Sequence, residues 1–351
     1  MKVLLAMSGG VDSSVAGALL LRDGHDVVGV TMKLWGGDSD SGCCSVSDVD
    51  DARRVAQQLD IDHLVFNFGD DFDRHVVDPY VRDHALGVTP NPCVECNRHL
   101  KFDRLLDRAD QLGFDAVATG HHARIGRAED GAYTLERGAD PAKDQSYVVH
   151  MLDQAALART LFPVGAIDKG QVRRIAAEMG LRTAAKPDSQ DVCFITSTGG
   201  REAFLGDRIP FRSGRVVDGD GTEVGRVPAV EMVTIGQRRG LGIPGGGPIR
   251  YVVDVDVPAG TVTVGRDADL LCDEVRVERV TWTSDIGDVA AREVRVQTSA
   301  HGATRPAELR SDDDGVRVVW SEPQRRVAPG QSVVFYDRTD TRVLGGGTAR
   351  R

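Results

Sequence analysis

Cysteine, lysine and long apolar runs are all in short supply in this 351-residue chain. Six cysteines at this length do not make a disulfide framework, so the small secreted scaffolds are excluded and a reducing cytosol is the expected compartment. No run approaches the ~18 apolar residues of a membrane-crossing helix, and no membrane partner is expected. The first residues lack a charged leader followed by an apolar stretch, so no secretory signal is expected. Basic residues are outnumbered, 43 against 53 acidic ones, for a formal net charge of −10. That balance argues against indiscriminate nucleic-acid binding but leaves room for a local arginine-rich surface. Lysine is scarce beside arginine, and no function is read from that alone. No internal repeat or long low-complexity linker is visible. At 41% hydrophobic the chain can bury a sizeable core, and its length favours about two or three domains.

What is there begins at the first residues. The apolar run Val3-Leu4-Leu5-Ala6-Met7 reads as a strand, Ser8-Gly9-Gly10-Val11-Asp12-Ser13-Ser14 as a tight turn, and Val15 to Leu21 as a helix. Gly9 and Gly10 allow positive φ and let bare backbone approach a ligand. The helix aims its unpaired N–H groups and positive dipole end at the turn, which makes an anion cradle. The Walker loop is excluded, because no Gly-Lys-Ser/Thr ending follows. With no lysine in the loop, Asp12 is the candidate to hold Mg²⁺ beside the phosphates. An ordinary Gly-Ser turn is the plainer reading. The string Ser-Gly-Gly-x-Asp-Ser is more specific, and it resembles the loop of enzymes that cleave ATP between the α and β phosphates.

Strand and helix patterns alternate onward. Val27–Met32, His63–Phe68 and Ala116–Thr119 read as strands; Asp48–Leu59 reads as an amphipathic helix and Phe102–Leu106 as the start of another. This predicts an α/β fold with a doubly wound parallel sheet, its ligand beyond the C-terminal strand ends. Met32 and Gly120-His121 end two strands there and are expected to face one crevice. Ile167–Gly180 reads as a further helix stopped by glycine. From about residue 200 Gly, Pro, Val and Thr dominate. Arg250–Val255 and Thr261–Val264 predict a small β-rich central domain; Val275–Val280, Val294–Gln297, Val316–Trp320 and Ser332–Tyr336 predict a C-terminal β-barrel. The expected boundaries are 1–198, 199–268 and 269–351. Asp312-Asp313-Asp314-Gly315 reads as a solvated hairpin turn.

Cys93 and Cys96 lie in Thr89-Pro90-Asn91-Pro92-Cys93-Val94-Glu95-Cys96-Asn97, where two prolines predict a stiff, extended loop. A Cys-x-x-Cys alone reads as a redox pair, half a zinc site or two small buried residues. No second such pair exists to complete a zinc site. With Cys193, in Asp191-Val192-Cys193-Phe194-Ile195, three thiols are also a ligand set for a [4Fe–4S] cluster with one open iron. Cys43, Cys44 and Cys272 read as packing residues.

Together these features resemble the tRNA-specific 2-thiouridylases, which place sulfur on carbon 2 of the wobble uridine. The resemblance runs nearly end to end, through Met32-Lys33-x-Trp35, Thr119-Gly120-His121, Lys143-Asp144-Gln145-Ser146-Tyr147, Leu161-Phe162-Pro163-Val164-Gly165, Cys193-Phe194-Ile195, Gly236-Gln237-Arg238-Arg239-Gly240-Leu241-Gly242, Pro329-Gly330-Gln331 and Leu344-Gly345-Gly346-Gly347. It implies ATP across Ala6, Met7, Ser8, Gly9, Gly10, Val11, Asp12 and Ser13, with adenine contacts from the backbone of Met32 and Gly120. It implies adenylation of the uridine O2, release of pyrophosphate, then loss of AMP as sulfur attacks. Cys193 matches the persulfide carrier and Cys96 its partner nucleophile, a pair that ends as a transient disulfide. Asn91, Pro92 and Cys93 would line a flipped-out base. His121, Lys143, Asp144, Gln145 and Gln331 match tRNA-contacting positions. A solvated loop at Lys143–Gln145 and a β-turn cap at Gln331 are the plainer readings. The implied partners are tRNAs for Lys, Glu and Gln and, as sulfur donor, a cysteine desulfurase or relay protein.

Two departures stand out. Cys93 occupies a position where many relatives carry an Asp assigned to acid–base work, and a thiol suits that role only with a lowered pKa. That role is left open, and Cys93 is expected to supply a third thiolate beside Cys96 and Cys193 for a [4Fe–4S] cluster. The Arg-Tyr-Arg patch of relatives is Ser299-Ala300-His301 here, which leaves Arg238, Arg239, Arg325 and Arg326 as candidate phosphate contacts. Two other readings remain open. One is an amidating synthetase acting on an adenylated carbonyl; the other is a non-catalytic nucleotide-binding module that senses redox state.

Overall fold

A computed structural model describes residues 1–34, 46–188, 193–196, 200–245, 247–283, 292–312 and 315–351. The first sheet is built from β1 (Lys2–Ala6), β2 (Asp26–Lys33), β3 (His63–Asn67), β4 (Ala116–Ala118) and β7 (Thr160–Leu161). Its order is β3-β2-β1-β4-β7, and every pairing is parallel. Alternation along β1 sends Leu4 and Ala6 into one apolar layer and Val3 and Leu5 into the other. Helices α1 (Val11–Arg22) and α2 (Val46–Gln58) and the helix Lys169–Glu178 cover the second layer. The doubly wound arrangement expected from alternation is what forms.

The central sheet contains β8 (Gly214–Val217), β9 (Glu223–Val227), β10 (Tyr251–Asp256) and β11 (Thr261–Gly265) around a valine-rich core. The C-terminal strands are β12 (Leu271–Trp282), β13 (Arg292–Gln297), β14 (Arg305–Asp312), β15 (Gly315–Arg325), β16 (Ser332–Tyr336) and β17 (Arg342–Ala349). They close into a six-stranded antiparallel barrel, because β12 pairs with both β15 and β17. Asp312 pairs with Gly315 across a hairpin whose tip, Asp313-Asp314, lies outside the described residues.

Three features depart from expectation. A hairpin of β5 (Ala123–Arg127) and β6 (Tyr133–Arg137), which follows β4 directly, pairs with β17, so the barrel sheet continues into it. β17 contains Gly345-Gly346-Gly347, a turn-like string. A Cβ on Gly345 would lie 2.5 Å from the Thr281 oxygen and one on Gly347 2.5 Å from the Glu278 oxygen, so the glycines let strands close tightly. The proline-bracketed segment is also not extended throughout: Pro92–Cys96 is helical and continues through a π-helical stretch, Asn97–Arg104, to Gln111. Pro92 stands at the helix start, where its missing N–H costs nothing, and Asn91 caps it by accepting from the Cys93 N–H at 3.2 Å.

Candidate nucleotide and thiol site

The glycine turn sits beyond the C-terminal end of β1. Gly9 has φ +70°, and a Cβ there would lie 2.5 Å from the Asp48 carbonyl oxygen. On the other side, a Cβ on Gly120 would lie 2.7 Å from the Ser13 nitrogen. Both positions therefore need glycine for close backbone approach. The first intrahelical bond of α1 runs from Ser14 N–H to Gly10 O at 3.2 Å, which leaves the N–H groups of Val11, Asp12 and Ser13 as the helix start's free donors. Ser13 and Ser14 both donate their hydroxyls to Gly10 O, at 3.1 and 2.8 Å, and hold the turn in shape. Ala6 and Met32 are buried in the same apolar layer.

A charge network surrounds Asp12. Its carboxylate accepts from Lys169 Nζ at 2.7 and 2.6 Å and faces His122 Nε2 at 3.0 Å. Burial would raise the Asp12 pKa, but the bonds from His122 and Lys169 outweigh it and hold the carboxyl below its ordinary value. Lys169 also reaches Asp188 at 2.9 Å, as do Lys143 and Arg173. Against the same burial effect, Lys143 and Lys169 bring Asp188 down to about 2. Lys186 bridges Asp48 and Asp51 at 2.8 Å each, fixing the segment that backs Gly9. One carboxylate beside a phosphate cradle suits Mg²⁺, which is held by one or two carboxylates plus phosphate oxygens. For Asp12 to serve, the Lys169 ammonium must move off it.

The thiol segment is braced by the barrel. Thr89 N–H donates to Pro329 O at 2.8 Å, and Gln331 Nε2 donates back to Thr89 O. Gly330, at φ +89°, presses its α-carbon face on the Thr89–Pro90 backbone, 3.0 Å from a Cβ built there. Asn97, buried, donates to Val148 O at 2.8 Å. Cys93 is exposed and Cys96 half-buried, one helical turn apart. Cys96 packs against the apolar layer that contains Ala6, Met32 and Phe194. Phe194 stands edge-on to Phe72, Tyr80 and Phe204, with centroids 5.5, 5.6 and 5.0 Å away. The short helix Cys193–Thr196 is thereby docked on that layer, while the Cys193 side chain lies outside the described residues. Among the described residues no three His, Cys, Asp or Glu side chains gather as a metal site, so the [4Fe–4S] set is represented only by Cys93 and Cys96.

The remaining expected residues divide. His121 is buried, its Nδ1 2.7 Å from Thr119 Oγ1 and its ring between Phe102 and Phe162. Burial pushes its pKa well down. Asp144 is likewise turned inward: it pairs with Arg137 and accepts from Gly138 N, Ser146 N and the Ser146 hydroxyl. Arg137 also pairs with Asp340 and stacks over Tyr336, so Asp144 belongs to the joint between the hairpin and the barrel. Lys143 is partly exposed, on Asp188. Gln145 accepts from His122 N at 2.9 Å. Gln331 closes a turn with Ala328, the plainer reading, and also braces Thr89. Arg238, Arg239, Arg325 and Arg326 are exposed, as are Ser299-Ala300-His301. Cys272 is half-buried and bonded to Gln324 O, a packing position; Cys43 and Cys44 lie outside the described residues.

The sequence reading missed His122, Lys169, Asp188 and Arg173. The one available signal was Asp168-Lys169-Gly170-Gln171: Asp168 and Gln171 form a capping box, which puts Lys169 at a helix start.

Family models match nearly the whole chain. Residues 1–197 match a tRNA methyl transferase HUP domain, 202–266 a tRNA methyl transferase PRC-barrel domain and 272–349 an aminomethyltransferase beta-barrel domain. Full-length relatives include the tRNA-specific 2-thiouridylase MnmA of Chloroflexus aurantiacus, 48% identical over 99% of this chain and 98% of that one. Another is that of Rhodococcus jostii, 47% identical over 99% and 97%. Among solved structures, a 4-thiouridine synthetase–RNA complex with bound ATP shares 21% identity and a TM-score of 0.35, covering 57% of this chain and 46% of that one. At that score the likeness carries nothing about chemistry.

Proposed function

The chain belongs to the tRNA-specific 2-thiouridylase family, and we propose that the residues described above carry out ATP-dependent 2-thiolation of the wobble uridine of tRNA. The observation that supports this most is the meeting of two devices on one apolar layer. Ala6 and Met32 come to it from the nucleotide cradle, and Cys96 and Phe194 from the thiol side. An amidating synthetase has no use for the second device, and methyl transfer has no use for either.

ATP lies along Ala6 to Ser13, its adenine against the backbone of Met32 and Gly120. The N–H groups at the start of α1 and the Ser13 hydroxyl face its phosphates. The uridine O2 bonds to the α-phosphorus as pyrophosphate leaves with the bridging electron pair, which converts a poor leaving group into AMP. Asp12, once free of Lys169, would hold Mg²⁺, which would supply charge neutralisation. The base is flipped out against Asn91, Pro92 and Cys93. The terminal sulfur of a Cys193 persulfide bonds to C2, and AMP departs with the C2–O2 electrons. The Cys96 thiolate then attacks the Cys193 sulfur, freeing 2-thiouridine and leaving a Cys96–Cys193 disulfide, which an external dithiol reduces.

The same three cysteines are the usual ligand type for a [4Fe–4S] cluster, whose open iron would hold sulfide. Anaerobic reconstitution with iron and sulfide counts tests that variant; full thiolation from a persulfide donor with no iron bound rejects it. The tRNAs for Lys, Glu and Gln are the substrates by family, and a cysteine desulfurase or relay protein supplies sulfur. Lys143, Gln145 and the exposed arginines are the RNA-facing candidates.

One assay tests the whole reading. ATP, Mg²⁺, a sulfur source and unmodified tRNA should yield 2-thiouridine by mass spectrometry. Full activity in Cys193→Ser would move the chain to the amidating class. ATP binding without tRNA-dependent pyrophosphate release would leave only a binding module.

A further inference from the structure

The glycine turn has no cation of its own, yet the group it releases is a diphosphate whose charge grows as it leaves. The chain has only six lysines (Lys2, Lys33, Lys101, Lys143, Lys169 and Lys186) against 37 arginines. Three of those six converge on this turn: Lys186 behind it on Asp48 and Asp51, Lys143 on Asp188, and Lys169 on Asp12 itself. In a chain that elsewhere uses arginine, compact ammonium groups gather where a phosphate would lie. Lys169 is the innermost, its side chain 11% exposed, between Asp12 and Asp188.

We infer that Lys169 is the cation that binds the β- and γ-phosphates and stabilises the departing pyrophosphate. This rests on the proposed ATP chemistry and deepens it. The ammonium waits on the Asp12 carboxylate, at the start of the helix whose N–H groups of Val11, Asp12 and Ser13 are free. When the nucleotide binds, Lys169 turns from the carboxylate to the diphosphate oxygens. Asp12 is then open for the metal, and Asp188 keeps a share of the lysine's charge. As uridine O2 bonds to the α-phosphorus, the bridging oxygen leaves with its electron pair and the diphosphate gains one negative charge. Lys169 donates its N–H bonds to that charge and stays protonated, so no proton needs a further acceptor. A point charge on a flexible stem suits this exchange of partners better than a planar guanidinium.

The rival account makes Lys169 a purely structural partner of Asp12, and ligand-by-ligand calorimetry separates the two. The full chain is titrated with Mg-ATP, with inorganic pyrophosphate and with AMP, as wild type, Lys169→Gln, Lys169→Arg and Lys143→Gln. Losing charge-assisted bonds worth about 1.5–3 kcal/mol corresponds to roughly ten- to hundredfold weaker binding. Lys169→Gln should lose about that much for ATP and pyrophosphate while AMP stays within about twofold. Lys143→Gln should lose less, because among the described residues its ammonium pairs with Asp188 and not with Asp12. Equal pyrophosphate affinity in wild type and Lys169→Gln overturns the inference and leaves the ATP reading standing. So does loss of all three ligands together, the mark of a merely structural lysine. If Lys169→Gln does not fold, Lys169→Arg decides: pyrophosphate weakened with AMP unchanged supports the inference, and unchanged pyrophosphate overturns it. A wild-type chain that binds no ATP would remove the proposed function, and this inference with it.

Discussion

Ala6 and Met32, the strand ends beside the glycine turn, share an apolar layer with Cys96 and Phe194, but the turn and the thiol segment are held by different parts of the chain. Among the described residues, the contacts that shape the turn lie before residue 189: the Asp48 carbonyl, Gly120, the Ser14–Thr183 hydroxyl contact at 3.0 Å and the lysines with their aspartates. The thiol segment depends on Pro329, Gly330 and Gln331 of the barrel. One device is self-contained and the other is finished from a distance. ATP use should therefore be separable from sulfur transfer by mutation, and the separation should run in both directions.

The sharpest cut is at the thiols. Cys96→Ser should lower 2-thiouridine formation by about a thousandfold or more while ATP affinity stays unchanged in calorimetry. A matching loss of ATP affinity would mean the two devices are one. Next comes the turn. Gly9→Ala puts a side chain at positive φ against the Asp48 carbonyl, and the strain is of order 1–3 kcal/mol. It should weaken ATP binding about tenfold or more and lower the melting temperature. Gly330→Ala presses on Thr89 and Pro90 with strain of the same order, yet its readout differs. Thiolation kcat should fall several-fold with the KM for ATP unmoved; a raised KM would erase the contrast.

The smallest effect is one of pH. His99, three residues beyond Cys96, is lifted to about 9 by hydrogen bonds to Asp103 and Glu95, against the opposing effect of burial. A raised folded-state value means its stabilisation is complete below the unfolded value near 6.5 and disappears as pH rises through about 9. The stability gap between wild type and His99→Ala should therefore be widest at pH 6 and close by pH 10, as read by urea unfolding. A gap that widens with pH would place the charge elsewhere.

Legibility in the sequence followed the same divide. β1, the turn and α1 were readable because the unit is local, a strand, two glycines and a helix start within about twenty residues, and β2, β3 and β4 each by its own apolar run, whereas the two-residue β7 was not. β5–β6, β14 and β17 were not. Arg305–Asp312 is charged and Arg342–Ala349 glycine-rich, and what makes them strands is their pairing rather than their own pattern: β14 lies between its neighbours β13 and β15, and β17 pairs with β16, β12 and the distant β6. Lys169 and Asp188 were invisible for the same reason, since their meeting with Asp12 spans 157 residues for the lysine. His121 matched a functional position and turned out to be packed between aromatic rings, while its neighbour His122 faces the carboxylate.

The pairing of β6 with β17 also orders the birth of the protein. Arg137 leaves the ribosome long before its partner Asp340, 203 residues downstream. During that interval the hairpin has an unpaired edge, and the parallel sheet can already assemble, because domains fold as they are synthesised. A nascent chain at that stage has a nucleotide cradle and no braced cysteine helix. A product truncated before the barrel should therefore bind ATP without being able to thiolate RNA.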